Sequence, residues 1–305
     1  MKRSNSFSNI ITLVLVSLVA IGATGCGEKK TGQSLASQYE KALKISSPDA
    51  KASQLLKIGE QQVKASDSMG AQKSFIAAGV AAEQITLPRL RAETLSEIAK
   101  AEGRRGKGLR AEEMLDKARK AYNAIETVHD RIPAMANCAE VYALHLDEGA
   151  KGKGELLEAE DLVKKITEPQ RKLQAISLIA AAYFKIEREE DGVRVLNEMT
   201  TAANAMPDAR QKSDALIQVV GVLAAAKLKD KGKEVLATAI ETIGTIEDVQ
   251  SKAFALVGLA EAQAAIGDKG AARSTLDEAS ELAEKVEGSL RGDITERIER
   301  AKSKI

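Results

Sequence analysis

The chain has 305 residues, of which 44% are hydrophobic and 29% charged, and it contains no Trp and only 3% aromatic residues. Because its interior must be built from Ala, Leu, Ile and Val, and because only five residues are proline, the composition predicts an all-helical protein. The 45 basic and 44 acidic residues leave a formal net charge of +1, and without a basic, aromatic surface this balance predicts that nucleic acid is not a partner.

Residues 1–26 differ in composition from the rest of the chain. Lys2 and Arg3 are followed by an apolar run over residues 10–21 and by the small residues 22–25. A dozen apolar residues are too few for a membrane-spanning helix, which needs about 20, whereas a basic start and a small-residue end are typical of an export signal. Residues 1–25 are therefore predicted to be a signal peptide.

Residues 23–26, Ala-Thr-Gly-Cys, resemble the bacterial lipoprotein lipobox, in which a short apolar residue and two small residues precede a cysteine that becomes lipidated. The resemblance implies that Cys26 is the lipid attachment site, and several acyl chains at about 0.8 kcal/mol per buried CH₂ would hold the protein on a membrane. In bacteria with two membranes, Gly27 in place of Asp implies the outer membrane, facing the periplasm. The alternatives are an ordinary signal cut after Gly22 or Ala23, or an uncleaved anchor.

Residues 26–33 are polar and contain glycine, so they predict a flexible, lipid-anchored tether in front of a folded domain over residues 34–305. Residues 34–45 carry the apolar pattern that returns at 74–85, which predicts a lone helix that caps the first repeat. A charged segment that starts at Ser289 predicts a second capping helix at the other end.

Between residues 51 and 286 one pattern returns six times, with a 40-residue period and a single 41-residue step. A small or apolar residue recurs first: Gly59, Ala99, Ala139, Ala180, Val220 and Ala260. An Ala or Gly follows twelve or thirteen positions later: Ala71, Ala111, Gly152, Gly192, Gly232 and Ala272. A large apolar residue comes four further on: Phe75, Leu115, Leu156, Leu196, Leu236 and Leu276.

Within each repeat the apolar residues are three and four apart, which places them on one face of a helix. Helices of this kind cannot bury their faces alone and must stack on their neighbours. The pattern therefore predicts six helical hairpins, over residues 49–86, 87–127, 128–167, 168–206, 207–246 and 247–286.

The placement of these residues resembles the tetratricopeptide repeat. The sixth repeat carries the pattern best: Leu259, Ala260, Gly267, Asp268, Ala272, Leu276 and Ala279. The resemblance implies an all-α, right-handed superhelical stack of about six helix-turn-helix repeats, a tetratricopeptide-like α-solenoid with capping helices at both ends. The period of 40 departs from the family's period of about 34. HEAT-like repeats have the longer period and are the alternative, but the Ala and Gly placement favours the tetratricopeptide-like form.

We find no residue pattern for catalysis or metal binding in the sequence. His129 and His145 have no metal-ligand spacing and are predicted to be exposed, and Cys138 occupies a position where the other repeats carry Ile, Val or Leu, which predicts a buried thiol. Residues 103–108, Gly-Arg-Arg-Gly-Lys-Gly, lack the residue order of a P-loop, so they are interpreted as a basic hairpin turn that could touch anionic lipid or an acidic partner. The protein is predicted to be no enzyme and to hold no cofactor or metal.

In the tetratricopeptide family the first helices line a concave face that holds peptides, and the resemblance carries this role to matching positions. The partner-binding candidates are Lys100, Arg104, Glu140, Gln174, Ser177, Phe184, Ile217 and Glu261. In the last three repeats this face is largely apolar, which indicates either a binding groove or close packing in a tight superhelix. The expected function is that of a membrane-tethered, noncatalytic scaffold that binds a protein or peptide of the cell envelope. The alternative is a self-assembling envelope spacer or assembly factor, and the oligomeric state is left open.

Overall fold

The computed structural model describes residues 34–305, and every regular element in this range is an α-helix. The predicted signal peptide, Cys26 and the tether lie outside the described residues. The helices are α1 (Leu35–Leu43), α2 (Pro48–Lys64), α3 (Ser68–Glu83), α4 (Pro88–Arg104), α5 (Gly108–Asn123), α6 (Val128–His145), α7 (Gly149–Val163), α8 (Pro169–Lys185), α9 (Glu189–Asn204), α10 (Ala209–Ala225), α11 (Lys229–Gly244), α12 (Val249–Ile266), α13 (Lys269–Ala283) and α14 (Ser289–Lys302). Within residues 34–305, no helix combines the length and the apolar character that crossing a membrane requires.

Six hairpins, from α2–α3 to α12–α13, stack in chain order, and we call the two members of each hairpin its first and its second helix. Each first helix packs on the first helices of the neighbouring repeats, and each second helix packs on the first helix that follows it. At the ends, α1 takes the place of a second helix against α2, and α14 takes the place of a first helix against α12 and α13. This neighbour-to-neighbour packing is that of a helical-repeat solenoid and confirms the predicted all-α class.

Short local signals start and stop the helices. Pro48, Pro88 and Pro169 stand in the first turns of first helices, where the missing N–H is not needed. Asp67 caps α3, because its carboxylate accepts a hydrogen bond from the backbone N–H of Gly70 at 2.8 Å. All six hairpin turns reverse through a left-handed residue at the same repeat position: Ser66, Gly106, Asp147, Glu187, Lys227 and Gly267.

The third hairpin turn absorbs the extra residue of the 41-residue step. In the other turns a backbone N–H bonds the carbonyl five residues earlier, as from Lys107 to Glu102 at 3.0 Å. In the third turn the N–H of Glu148 reaches back six residues, to the carbonyl of Tyr142, at 2.8 Å. The insertion therefore widens one turn without shifting the register of the helices that follow.

The repeated residues form the core. All members of the three series given above are buried. Glycine is required where helices approach closely: a Cβ on Gly152 would lie 2.7 Å from the backbone oxygen of Ala139, and a Cβ on Gly192 would lie 2.9 Å from the Phe184 ring. The predicted register of the repeats is therefore the register of the folded chain, and Leu35–Ile305 forms one compact unit.

Candidate binding surfaces on the helical array

Three of the described first helices are joined by one buried carboxylate. Glu140 of α6 is 7% exposed, and it accepts a hydrogen bond from Lys100 of α4 at 2.7 Å and pairs with Lys185 of α8. Burial by itself would raise the pKa of Glu140, but the hydrogen bonds and the positive charges of the two lysines together outweigh burial and hold this pKa below its ordinary value. Of the predicted binding residues, Lys100 and Glu140 are thus engaged with each other in a bridge between neighbouring first helices.

The two histidines are half-buried, so the expectation that they are exposed was wrong. His145 packs against Gly103, where an added Cβ would lie 2.8 Å from the Cβ of His145, and its Nε2 is buried without a hydrogen-bond partner in the described chain. Burial, together with the nearby charges of Arg104 and Lys100, holds the pKa of His145 below its ordinary value. His145 is therefore a neutral packing residue at the end of α6, while Arg104 next to it is exposed.

In repeats four to six the larger predicted residues serve helix packing. Phe184 is half-buried over Gly192 of its own hairpin, and Ile217 lies against Gly258 of the next first helix, 3.3 Å from where a Cβ would stand. Ser177 is half-buried, with its Oγ 3.5 Å from the Gln218 side chain. Gln174 and Glu261 are exposed, as are four apolar residues: Leu178, Ala181, Gly221 and Ala225. The exposed strip of this face therefore consists mainly of small side chains.

Between α8 and α10 the first-helix face opens into a groove of about 570 Å³. Its apolar lining comes from both helices: Ala181, Phe184, Val222, Ala225 and Ala226. Its charged lining comes from the helix ends and the hairpin turns: Lys185, Glu187, Glu189 and Lys227. We call this cavity the inner groove. Glu187 and Lys227 are the left-handed residues of their turns, so the turn geometry places one charge of each sign beside the groove.

On the opposite side of the hairpins, ion pairs link successive second helices. Lys117 pairs with Glu83 at 2.7 Å, and Lys153 pairs with Asp191 at 2.8 Å. This series joins α3 to α5, α5 to α7 and α7 to α9, and among the described residues no ion pair joins α9 to α11. An open groove of about 830 Å³ lies along α9 at that point, lined almost wholly by α9 itself, with Lys231 from α11. Both grooves therefore lie at the joint between repeats four and five.

Buried polar groups elsewhere belong to the core. Cys138 is buried as predicted, with its Sγ 3.7 Å from the Ser96 Oγ, and burial raises the pKa of its thiol to about 12. Tyr122 donates a hydrogen bond at 2.6 Å to Glu155, whose own pKa is raised by burial. Within residues 34–305, no three His, Cys, Asp or Glu side chains are grouped so as to hold a metal ion.

Several residues at these surfaces were not singled out from the sequence. Lys185 could have been found, because the 40-residue alignment places it with Lys64 and Arg104 at the ends of first helices. Leu178 lies one turn before Ala181 on the same helix face, so helical spacing alone indicates it. The bridge formed by Glu140 carries no such signal, since it depends on which side chains stand opposite in the neighbouring repeats.

Comparison with known proteins adds little. No family model matches the chain, and no curated protein matches it in sequence. Among solved structures, the chain is similar to the crystal structure of Ton1535 from Thermococcus onnurineus NA1, with 12% sequence identity over 85% of this chain and 94% of that one and a TM-score of 0.38. At this level the similarity bears on neither the fold nor the function.

Proposed function

We propose that the protein is a noncatalytic scaffold that binds a protein or peptide segment at the inner groove, and that a lipid on Cys26 tethers it to the extracytoplasmic face of a bacterial membrane. The observation that carries the binding proposal is the contrast along the first-helix face. Around α6, Glu140 pairs with two lysines across this face, whereas between α8 and α10 the face opens into a groove with an apolar lining and charged residues at its border. The tetratricopeptide resemblance, which makes the first-helix face the concave one, supports the same assignment.

The lining of the inner groove suits a short segment rather than a large flat partner. A volume of about 570 Å³ accepts a few side chains, and the apolar lining offers them burial. Leu178, 44% exposed and one turn before Ala181, extends the apolar surface along α8. Lys185 and Lys227 line the groove together with Glu187 and Glu189, so a partner with both charge signs beside an apolar anchor fits best.

The binding test replaces exposed residues only. We expect a photo-crosslinking side chain at Ala181 or Ala225, in the native cell envelope, to capture a defined protein that Ala181→Glu with Ala225→Glu no longer binds. Phe184 and Ile217 are left unchanged because they pack between helices. The matched control is Leu157→Glu with Ile240→Glu, two residues that are each 45% exposed on second helices. The captured protein is then tested for binding to the wild type and to the variants without the crosslinker, and equal binding by the wild type and by Ala181→Glu with Ala225→Glu would refute the groove assignment.

The tether and the alternative function have separate tests. If Cys26 carries the lipid, Cys26→Ala should release the protein from carbonate-washed membranes, and a variant that stays bound would contradict the tether. A self-assembling spacer predicts concentration-dependent oligomers in light scattering of residues 34–305. A monomer at every concentration, combined with a captured partner, would favour the scaffold.

A further inference from the structure

The hairpin turns of repeats one and two expose two large apolar side chains. Leu109 is 86% and Met69 74% exposed, the highest values among the large hydrophobic residues that the structure describes. Both stand at the second position of a second helix, in α5 and in α3. The equivalent positions of the later repeats hold no large apolar residue: Ala150, Glu190, Asp230 and Gly270. The exposure of Met69 and Leu109 is therefore a local feature of the first two repeats.

The two turns form one continuous surface. Arg105, in the second turn, donates a hydrogen bond at 3.3 Å to the backbone carbonyl of Ser68, the residue before Met69. The same guanidinium is held by Glu102 at 2.7 Å and lies 5.1 Å from the centroid of the Phe75 ring. Arg105 thus fixes the second turn against the first, and we call the surface formed by residues 64–73 and 104–110 the N-terminal turn edge.

The N-terminal turn edge also carries exposed positive charge. The exposed cations of the N-terminal turn edge are Lys64, Lys73, Arg104 and Lys107. Its one exposed carboxylate, Asp67, is occupied in capping α3. The fourth turn is different, because residues 187–191 carry four acidic side chains around Arg188. The fifth turn is also basic, with Lys227, Lys229 and Lys231 exposed, but it has no large apolar residue at the position of Met69 and Leu109, so only the first two turns combine the two features.

The chain also joins the array at this edge. Helix α1 begins at Leu35, and its first turn lines a cleft of about 460 Å³ together with Asp67, Met69 and Gly70. The first turn of α1 therefore lies beside Met69. If residues 26–33 tether the protein to a membrane, the tether joins the described domain at the start of α1, which is on this edge.

We propose that the N-terminal turn edge rests on an anionic lipid bilayer, with Met69 and Leu109 inserted among the headgroups and the four cations over the lipid phosphates. Apolar side chains flanked by lysine and arginine bind such interfaces, and the attraction of each cation to an anionic surface falls with added salt. This proposal rests on the proposed function in one respect, because the proposed tether would keep the edge near the membrane. It leaves the inner groove, in repeats four and five, free for a partner.

The test uses residues 34–305, of which Leu35–Ile305 forms one compact unit, and circular dichroism first establishes that each variant is folded. Sucrose-loaded vesicles of phosphatidylcholine, with and without an equal amount of phosphatidylglycerol, are sedimented with the protein. We expect binding to the anionic vesicles only, weakened by salt. Met69→Glu with Leu109→Glu should lower the bound fraction by about tenfold or more, and Lys64→Glu with Lys107→Glu should lower it similarly. Leu157→Glu with Ile240→Glu is the matched control and should bind like the wild type.

Three results would overturn this proposal: no binding of the wild type to anionic vesicles, equal binding to neutral vesicles, or an equal loss in the Leu157/Ile240 control. None of them bears on the tether, since the fragment lacks Cys26. Conversely, release of the full chain from membranes by Cys26→Ala tests the tether without the turn edge. The two ideas therefore fail separately.

Discussion

The bridge at Glu140 allows a quantitative prediction, because its removal leaves two lysines without their partner. The Lys100 and Glu140 side chains are 19% and 9% exposed, so their hydrogen bond counts as a mostly buried, charged one worth about 1.5–3 kcal/mol. The Lys185 side chain is 57% exposed, so its pair with Glu140 adds about 0–1 kcal/mol. Glu140→Ala should therefore lower the free energy of unfolding by about 2–3 kcal/mol.

Urea unfolding of residues 34–305 at neutral pH measures this loss, and a double-mutant cycle with Lys100→Met isolates the pair. Lys185→Met is the control and should cost less than about 1 kcal/mol, because its ammonium is already in water. The reasoning would be refuted if Glu140→Ala cost no more than Lys185→Met, or if the cycle with Lys100 showed no coupling.

The pH dependence of the Glu140 contribution has a definite sign. Since the pKa of Glu140 is lower in the folded than in the unfolded chain, the unfolded chain binds its proton first as the pH falls. The contribution is therefore complete above the ordinary glutamate pKa and disappears as the pH falls through the lowered value. The stability difference between the wild type and Glu140→Ala should shrink in acid, and a difference that grew in acid would contradict this assignment.

Three further predictions concern the turns and the core. Gly106→Ala should destabilise the protein by about 1 kcal/mol because of its positive φ of 68° alone, since an added Cβ would meet nothing within 4 Å. Gly154 lies inside α7 with equally open surroundings, so Gly154→Ala should stabilise the protein by up to about 1 kcal/mol. Thermal melts that showed the same sign for both variants would contradict this. Leu196→Ala should cost about 2–5 kcal/mol in urea unfolding because Leu196 is buried, and an unchanged midpoint would mean that the register is wrong. The Cys138 thiol should resist a thiol reagent in the folded chain and react once urea unfolds it, so rapid reaction under native conditions would be inconsistent with its burial.

From the sequence, the apolar first-helix face could be a binding groove or a packing surface, and in the structure some of its residues pack while others stay exposed. Phe184 and Ile217 pack against glycines, while Ala181 and Ala225 remain exposed. Helical spacing predicts a stripe about one third of the circumference wide, and both kinds of residue fall on it. The stripe cannot separate them, because the separation depends on Gly192 and Gly258, which stand opposite on other helices.

The sequence by itself determined the helices, their pairing into hairpins, their register and the burial of Cys138. These properties return with the 40-residue period and follow from the spacing of small and apolar side chains along single helices. Only the tertiary structure decided that Glu140 is a bridge, that His145 is a packing residue, and that Met69 and Leu109 share one edge. Each of these depends on residues that lie about one repeat apart in the chain and meet only when hairpins stack. A repeat pattern specifies that such neighbours exist, but the chemistry between them is set by which residues the packed helices bring together.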